Sequence, residues 1–200
     1  MAANTSFDNK YWENRYQDKL TGWDIGYAST PLKEYIDQLP DKSIKILIPG
    51  AGNAYEAGYL WEEGFVNTYI LDFAESPLSQ FQQKYPQFPD SQLIQDDFFL
   101  HEGAYDLIIE QTFFCAIDPS LRSSYVKKTN RLLKRNGKLV GLLWNKPMNI
   151  ANPPFGGSVE EYQGLFENDF EIRIMETAHN SIPPRQGNEV FINFQKKDLN

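Results

Sequence analysis

The chain has 200 residues, of which 41% are apolar and 14% aromatic, with 14 Phe, 11 Tyr and 4 Trp. This is too much core-forming material for a disordered chain, and the length suits a single domain, 1–200, with no room for a second catalytic module. With 19 basic and 27 acidic residues the formal net charge is −8, which speaks against nucleic acid and anionic membrane surfaces as partners.

Residues 1–40 precede the first strand-like run. They read as a helix over Asn9 to Lys19, a loop at Thr21-Gly22-Trp23-Asp24 and a short helix from Thr30-Pro31 to Gln38. The opening residues lack the apolar stretch of a secretory leader, and no later run approaches the roughly eighteen apolar residues of a membrane helix, so a cytoplasmic protein is expected. The one cysteine, Cys115, has no partner for an internal disulfide, and with His101 and His179 it makes no metal cluster, so no metal is expected. Cys115 lies in the apolar run Thr112 to Ile117 and reads as a buried, inert thiol.

Over residues 41–200 strand and helix patterns alternate. Ile44 to Ile48 is a short apolar run closed by Pro49-Gly50-Ala51-Gly52, and helix formers follow from Ala54 to Glu63. Val66 to Leu71 is the second strand, Ser76 to Tyr85 a helix capped by Ser76, and Gln92 to Gln95 a third, weaker strand. Tyr105 to Glu110 forms the fourth strand. A helix capped by Asp118-Pro119 runs to about Arg135, and Asn136-Gly137 turns into a fifth strand, Lys138 to Trp144. Beyond a loop at Asn145 to Gly157 and a helix at Ser158 to Phe166, the strands Phe170 to Glu176 and Glu189 to Gln195 are joined too closely for a crossover helix. They should pair as an antiparallel hairpin. The expected fold is α/β: a doubly wound, mainly parallel, seven-stranded Rossmann-like sheet ending in that hairpin.

Ligands of such sheets bind at the carboxyl ends of the strands, close to the first glycine loop. Gly50 and Gly52 let the backbone approach a ligand, and Asp72, twenty-two residues past Gly50, stands where a carboxylate can hold ribose hydroxyls. A dinucleotide would want G-x-G-x-x-G, but Tyr55 occupies the third glycine's place. S-adenosylmethionine, an adenosine without phosphate, fits better than NAD. Asp97 and Phe98, after the third strand, suit an adenine amino group and ring. Trp12 and Tyr16 share a helical face, with Trp23 in the next loop, and their ring faces would tolerate a sulfonium charge.

These residues resemble the thiopurine S-methyltransferase-like family, and within it the plant-type thiol and halide methyltransferases. The resemblance spans nearly the whole chain. It rests on Tyr11-Trp12 through Thr21-Gly22-Trp23-Asp24-Ile25-Gly26, Ile48-Pro49-Gly50-Ala51-Gly52, Phe113 to Pro119, Pro153-Pro154-Phe155 and Ile182 to Gly187. It implies that Trp12, Tyr16 and Trp23 line the methionine end of the cofactor, with residues 1–40 as its cover. Gly50 would contact the cofactor through backbone, Asp72 would bind the ribose, Asp97 and Phe98 the adenine, and Gln111 a cofactor-side position. Asn53 and Gln111 depart from the family pattern.

The small-molecule acceptor should sit beyond the fourth and fifth strands against Phe113, Trp144 and Phe155, with His179 and Arg185 at the mouth and Glu110 as the one nearby carboxylate. The reading is a monomeric S-adenosylmethionine-dependent methyltransferase acting on a thiol or thiolate, with halide as a further acceptor. The rivals are methylation of another small molecule, a non-catalytic cofactor-binding protein and a dinucleotide oxidoreductase. No Ser-His-Asp or Cys-His set is present, so no catalytic side chain is assigned.

Overall fold

The computed structural model describes residues 7–148 and 151–198. Expectations for residues 1–6, 149–150 and 199–200, which include the start of the leader reading and part of the Asn145 to Gly157 loop, lie outside the described residues. Helix α1 (Asn9–Gln17) and helix α2 (Thr30–Asp37) precede a sheet of strands β1 (Ile46–Pro49), β2 (Thr68–Asp72), β3 (Leu93–Gln95), β4 (Tyr105–Gln111), β5 (Leu133–Trp144), β6 (Phe170–Thr177) and β7 (Glu189–Lys196). Helices α3 (Tyr55–Glu62), α4 (Glu75–Lys84), α5 (Arg122–Leu132) and α6 (Val159–Phe166) complete the fold. Strand order is β3-β2-β1-β4-β5-β7-β6. Strands β1 to β5 are parallel, β7 is antiparallel to β5, and β6 pairs antiparallel with β7. The expected sheet and hairpin are both present. No helix among the described residues is long and apolar enough to cross a membrane.

Both faces of the sheet are covered because successive side chains of a strand point to opposite sides. Ile46 and Ile48 of β1, with Leu107 and Ile109 of β4, pack on the side that holds Leu32, Ile36, Leu60 and Phe81. Leu47 and Ile108 face the other way, toward Tyr125, Phe166 and Phe194. The order reverses between β1 and β4, so the crevice of an open α/β sheet falls at the carboxyl ends of these two strands.

Three local expectations are corrected. Ser76 does not cap α4: it lies one residue inside, and its N–H and hydroxyl both donate to the Glu13 carboxylate of α1. A carboxylate from another helix thus fills the N-terminal role, which no local pattern encodes. Helix α5 stops at Leu132 instead of Arg135, and Leu133 already pairs with Tyr105, so Asn136 (φ 60°) sits at an irregularity within β5. Asp118 caps a 3-10 turn at Pro119–Leu121, through a bond from the Ser120 N–H, before α5 begins at Arg122.

Glu110, near the end of β4, holds the following loop. Its Oε1 accepts the N–H groups of Phe113 and Phe114, both at 2.8 Å, and its Oε2 accepts the Tyr125 hydroxyl at 2.7 Å. Burial pushes the carboxyl up from 4.5 to about 7 against these hydrogen bonds. Between those two values the folded protein keeps a proton that the unfolded chain has lost. Stability held below about pH 4.5 is therefore given up as pH climbs through about 7. Glu110→Gln, which mimics the protonated group, should gain in melting temperature relative to the parent from about pH 5 to about pH 8. Glu110→Ala should lose about 1 to 3 kcal/mol at any pH by stranding the two amides. A pH-independent difference for Glu110→Gln would show that Glu110 does not hold the proton.

Candidate active site

A cavity of about 490 Å³ opens at the carboxyl ends of β1, β2 and β4, under α1 and the Trp23 loop. That is within the range of small-ligand pockets. Its glycine floor is shaped by close contact. Gly50 (φ 56°) lies so near Phe113 that an added Cβ would meet the ring at 2.1 Å, and at Gly52 (φ 52°) it would meet the Tyr16 hydroxyl at 2.8 Å. These left-handed positions tolerate little but glycine. The Gly52 N–H donates to Asp72 Oδ2 at 2.8 Å, and the Ala74 N–H donates to Oδ1 at 2.9 Å.

Trp12, Tyr16, Trp23, Gly50, Asp72, Asp97, Phe98 and Phe113, all candidates from the sequence, line this one cavity. No residue of α1 is fully buried. Its aromatic stripe therefore does not fill a core; Trp12 and Tyr16 present half-buried rings to the cavity, each packed edge-on against Trp23. Burial and the charges of Asp72 and Asp24 push the Tyr16 phenol far up, so the hydroxyl stays protonated. Gln111 and Gly52 line a smaller polar recess that shares Trp23, Gly50 and Thr112 with the main cavity. There Gln111 Oε1 is buried without a partner.

Other expectations change. Phe98 reaches the cavity wall, but its ring is a core group, stacked on Tyr125 at 5.3 Å and only 1% exposed. The half-buried cavity ring is the neighbouring Phe99, whose N–H donates to Asp97 Oδ1. Trp144 and Phe155 do not line the cavity. Trp144 lies under the cations of Lys146 and Arg185, and Phe155 stands behind Phe7 while its N–H donates to the Cys115 carbonyl. Glu110 faces the loop and not the cavity. His179 is exposed at the hairpin turn. Arg185 is buried and acts at a distance: it pairs with Glu189 at 3.1 Å and donates to the Trp23 carbonyl at 2.6 Å, fixing the cover loop.

Sequence reasoning missed Phe7, Arg15, Phe73, Phe99, Leu121 and Pro153 as lining residues. For Arg15 a signal existed, since position i+3 from Trp12 belongs to the same helical face. Cys115 lines the wall, yet its thiol donates to the Thr112 carbonyl and burial pushes it up to about 12, so it is no nucleophile.

A sheet in this order, with a glycine loop after β1, a carboxylate ending β2 and an aromatic cover, defines the class I S-adenosylmethionine-dependent methyltransferase fold. The chain belongs to the thiopurine S-methyltransferase (TPMT) family, whose profile matches residues 7–197. It is 28% identical over 192 residues to thiocyanate methyltransferase 1 of Arabidopsis thaliana, covering 92% of this chain and 84% of that protein. To probable thiol methyltransferase 2 of the same plant it is 26% identical over 191 residues, with coverage of 92% and 84%. Its fold superposes with a TM-score of 0.79 and 14% identity on the Burkholderia thailandensis 1,6-didemethyltoxoflavin-N1-methyltransferase crystallised with 1,6-didemethyltoxoflavin and S-adenosylhomocysteine, covering 95% and 87% of the two chains.

The Arg185 anchor generates a stability prediction. Arg185→Met leaves Glu189, only 4% exposed, without its cation. The variant should lose about 3 to 5 kcal/mol in urea unfolding, and amide exchange over Thr21–Gly26 should quicken. A variant as stable as the parent, with unchanged exchange, would show that the pair does not hold the loop.

Proposed function

We propose that the protein transfers the methyl group of S-adenosylmethionine to a small acceptor, foremost a thiol or thiolate, with halide as a further acceptor. One observation carries the reading: half-buried Trp12, Tyr16 and Trp23 face the same cavity as the Gly50 loop and Asp72. The residues fit the cofactor. Asp72 has acceptor capacity left for ribose hydroxyls beyond its two backbone donors, and the orphaned Gln111 Oε1 suits the ammonium of an amino-acid end. Asp97 keeps one carboxylate oxygen for an adenine amino group, with Phe99 beside it. When bound, S-adenosylmethionine supplies an activated methyl on a sulfonium sulfur. The three aromatic faces tolerate that charge at about 0.5 to 2 kcal/mol each.

The chain's own residues orient and exclude water; among the described residues none is placed to take a proton from the acceptor. Glu110 is committed to the loop amides, His179 is exposed on the hairpin, and the Cys115 thiol is locked in its protonated form. Phe113, Ile117, Leu121 and Pro153 give an apolar wall that desolvates a small nucleophile. Orientation of this kind is worth about 7 to 11 kcal/mol in well-aligned intramolecular models.

The plant relatives named above support sulfur as the acceptor atom. With saturating cofactor and subsaturating thiol, the rate should follow each thiol's own thiolate fraction, so that thiols of different acidity shift the profile. Iodide carries no proton, and its rate should be nearly flat from about pH 7 to 9. A shared ionisation for iodide and every thiol would contradict catalysis by positioning. Absence of transfer to any sulfur acceptor or halide would overturn the reading.

A further inference from the structure

One cavity side chain has no task in this scheme. Arg15 is the only basic residue lining the main cavity among the described residues, where Asp8, Asp72, Asp96, Asp97 and Asp118 supply carboxylates. None of these pairs with it, and no ion pair of the described residues includes it. Its Nε is buried without a hydrogen-bond partner. The guanidinium is held instead by ring faces, 5.4 Å from the centre of Tyr11 and 5.6 Å from that of Trp23. Stacking of this kind orients the plane of a guanidinium and leaves its N–H fork to an anion, the partner its geometry matches best. A buried donor left unmatched is costly, so the arrangement is complete only when an acceptor arrives.

Position decides which ligand group that acceptor belongs to. Tyr16, the next residue, leans on Gly52 and so marks the glycine-loop side of the cavity. Arg15 shares Trp23 with Tyr16 but lies two positions after Glu13, on the side of α1 opposite the Glu13 tie to Ser76 of α4. Its partner Trp23 is tied through its carbonyl to Arg185, whose guanidinium covers Trp144 at the end of β5. Its partner Tyr11 packs on Phe7, which packs on Phe155. These contacts run from Arg15 toward the end of β5, whereas the Glu13 side of the same helix runs toward α4 beyond β2.

We propose that Arg15 is the specificity-determining cation of the acceptor site, where it holds an anionic group of the acceptor and favours thiols that also carry a carboxylate. The inference rests on the thiol-acceptor reading above and adds the acceptor's charge. The methionine carboxylate of the cofactor offers the same chemistry from a second source, and the test separates the two.

Para-mercaptobenzoate and its neutral counterpart para-mercaptobenzamide are compared on the parent, Arg15→Gln and Arg15→Lys. Calorimetry measures binding of each thiol to protein loaded with S-adenosylhomocysteine, and of S-adenosylhomocysteine itself; turnover gives kcat/KM. The parent should prefer the benzoate by about tenfold, the scale of one charge-assisted contact. Arg15→Gln should erase that preference while benzamide binding and S-adenosylhomocysteine affinity stay within about twofold. Arg15→Lys should retain part of it. A parent without preference overturns the proposal, as does an equal loss for both thiols, which would make Arg15 a packing residue. Weakened S-adenosylhomocysteine binding with an unchanged thiol preference also overturns it, because the guanidinium would then serve the cofactor's carboxylate. Arg15-dependent binding of the benzoate without methyl transfer would uphold the anion site and refute the methyl-transfer reading alone.

Discussion

Asp72 accepts the Gly52 N–H with one carboxylate oxygen and the Ala74 N–H with the other, while only 6% exposed at the end of β2. These two bonds fix the loop after β1 against the loop after β2, on the β1–β2 side of the place where strand order reverses. The glycine loop then takes left-handed conformations at Gly50 and Gly52 that let Phe113 and Tyr16 close in. Without that carboxylate the loop amides would be unpaired and the cavity floor would have no fixed shape. Burial pushes the Asp72 carboxyl up to about 6, opposed by the Ala74 and Gly52 N–H groups. A group with spare acceptor capacity, short of solvent and poised near neutrality, gains from added hydroxyl donors.

The cover is attached to this floor by polar ties. Glu13 of α1 caps α4 through Ser76, and Asn9 reaches the Phe73 carbonyl. Asp24, in the Trp23 loop, takes Asn53 and Tyr55 from the other side of the glycine turn. Asn53 thus serves as part of the latch. Among the described residues the cavity's carboxylates outnumber its single guanidinium, in keeping with a formal charge of −8 for the whole chain. Such a field draws in a cationic ligand, and the proposed anion contact falls to Arg15.

The alternation of β-branched runs with helix formers made the sheet, its crossovers and its final hairpin legible in the sequence, because each depends on local periodicity and connection length. The positions of Gly50, Asp72 and the Trp12–Tyr16 stripe in the cavity were legible too, because each follows from short spacing, between two neighbouring strand ends or along one helix face. What was hidden depends on how distant elements meet. Phe98 and Phe99 are adjacent and opposite in fate, since the packing of Tyr125 decides which ring is swallowed by the core. Trp144 is drawn away from the cavity by Arg185, more than forty residues later in sequence. The capping of α4 by Glu13 spans 63 positions and has no local signature.

The central claim, that the buried Asp72 carboxylate is both the keystone of the floor and the ribose-binding group, is tested most directly by calorimetry of S-adenosylhomocysteine binding against pH. Hydroxyl donors favour the ionised carboxylate, whose folded-state value lies at about 6. Affinity should therefore fall as pH drops from about 7.5 to about 5 in the parent, and the fall should vanish in Asp72→Asn, with weaker binding at the upper end. Parent and Asp72→Asn proteins with the same affinity and the same pH profile would contradict the account.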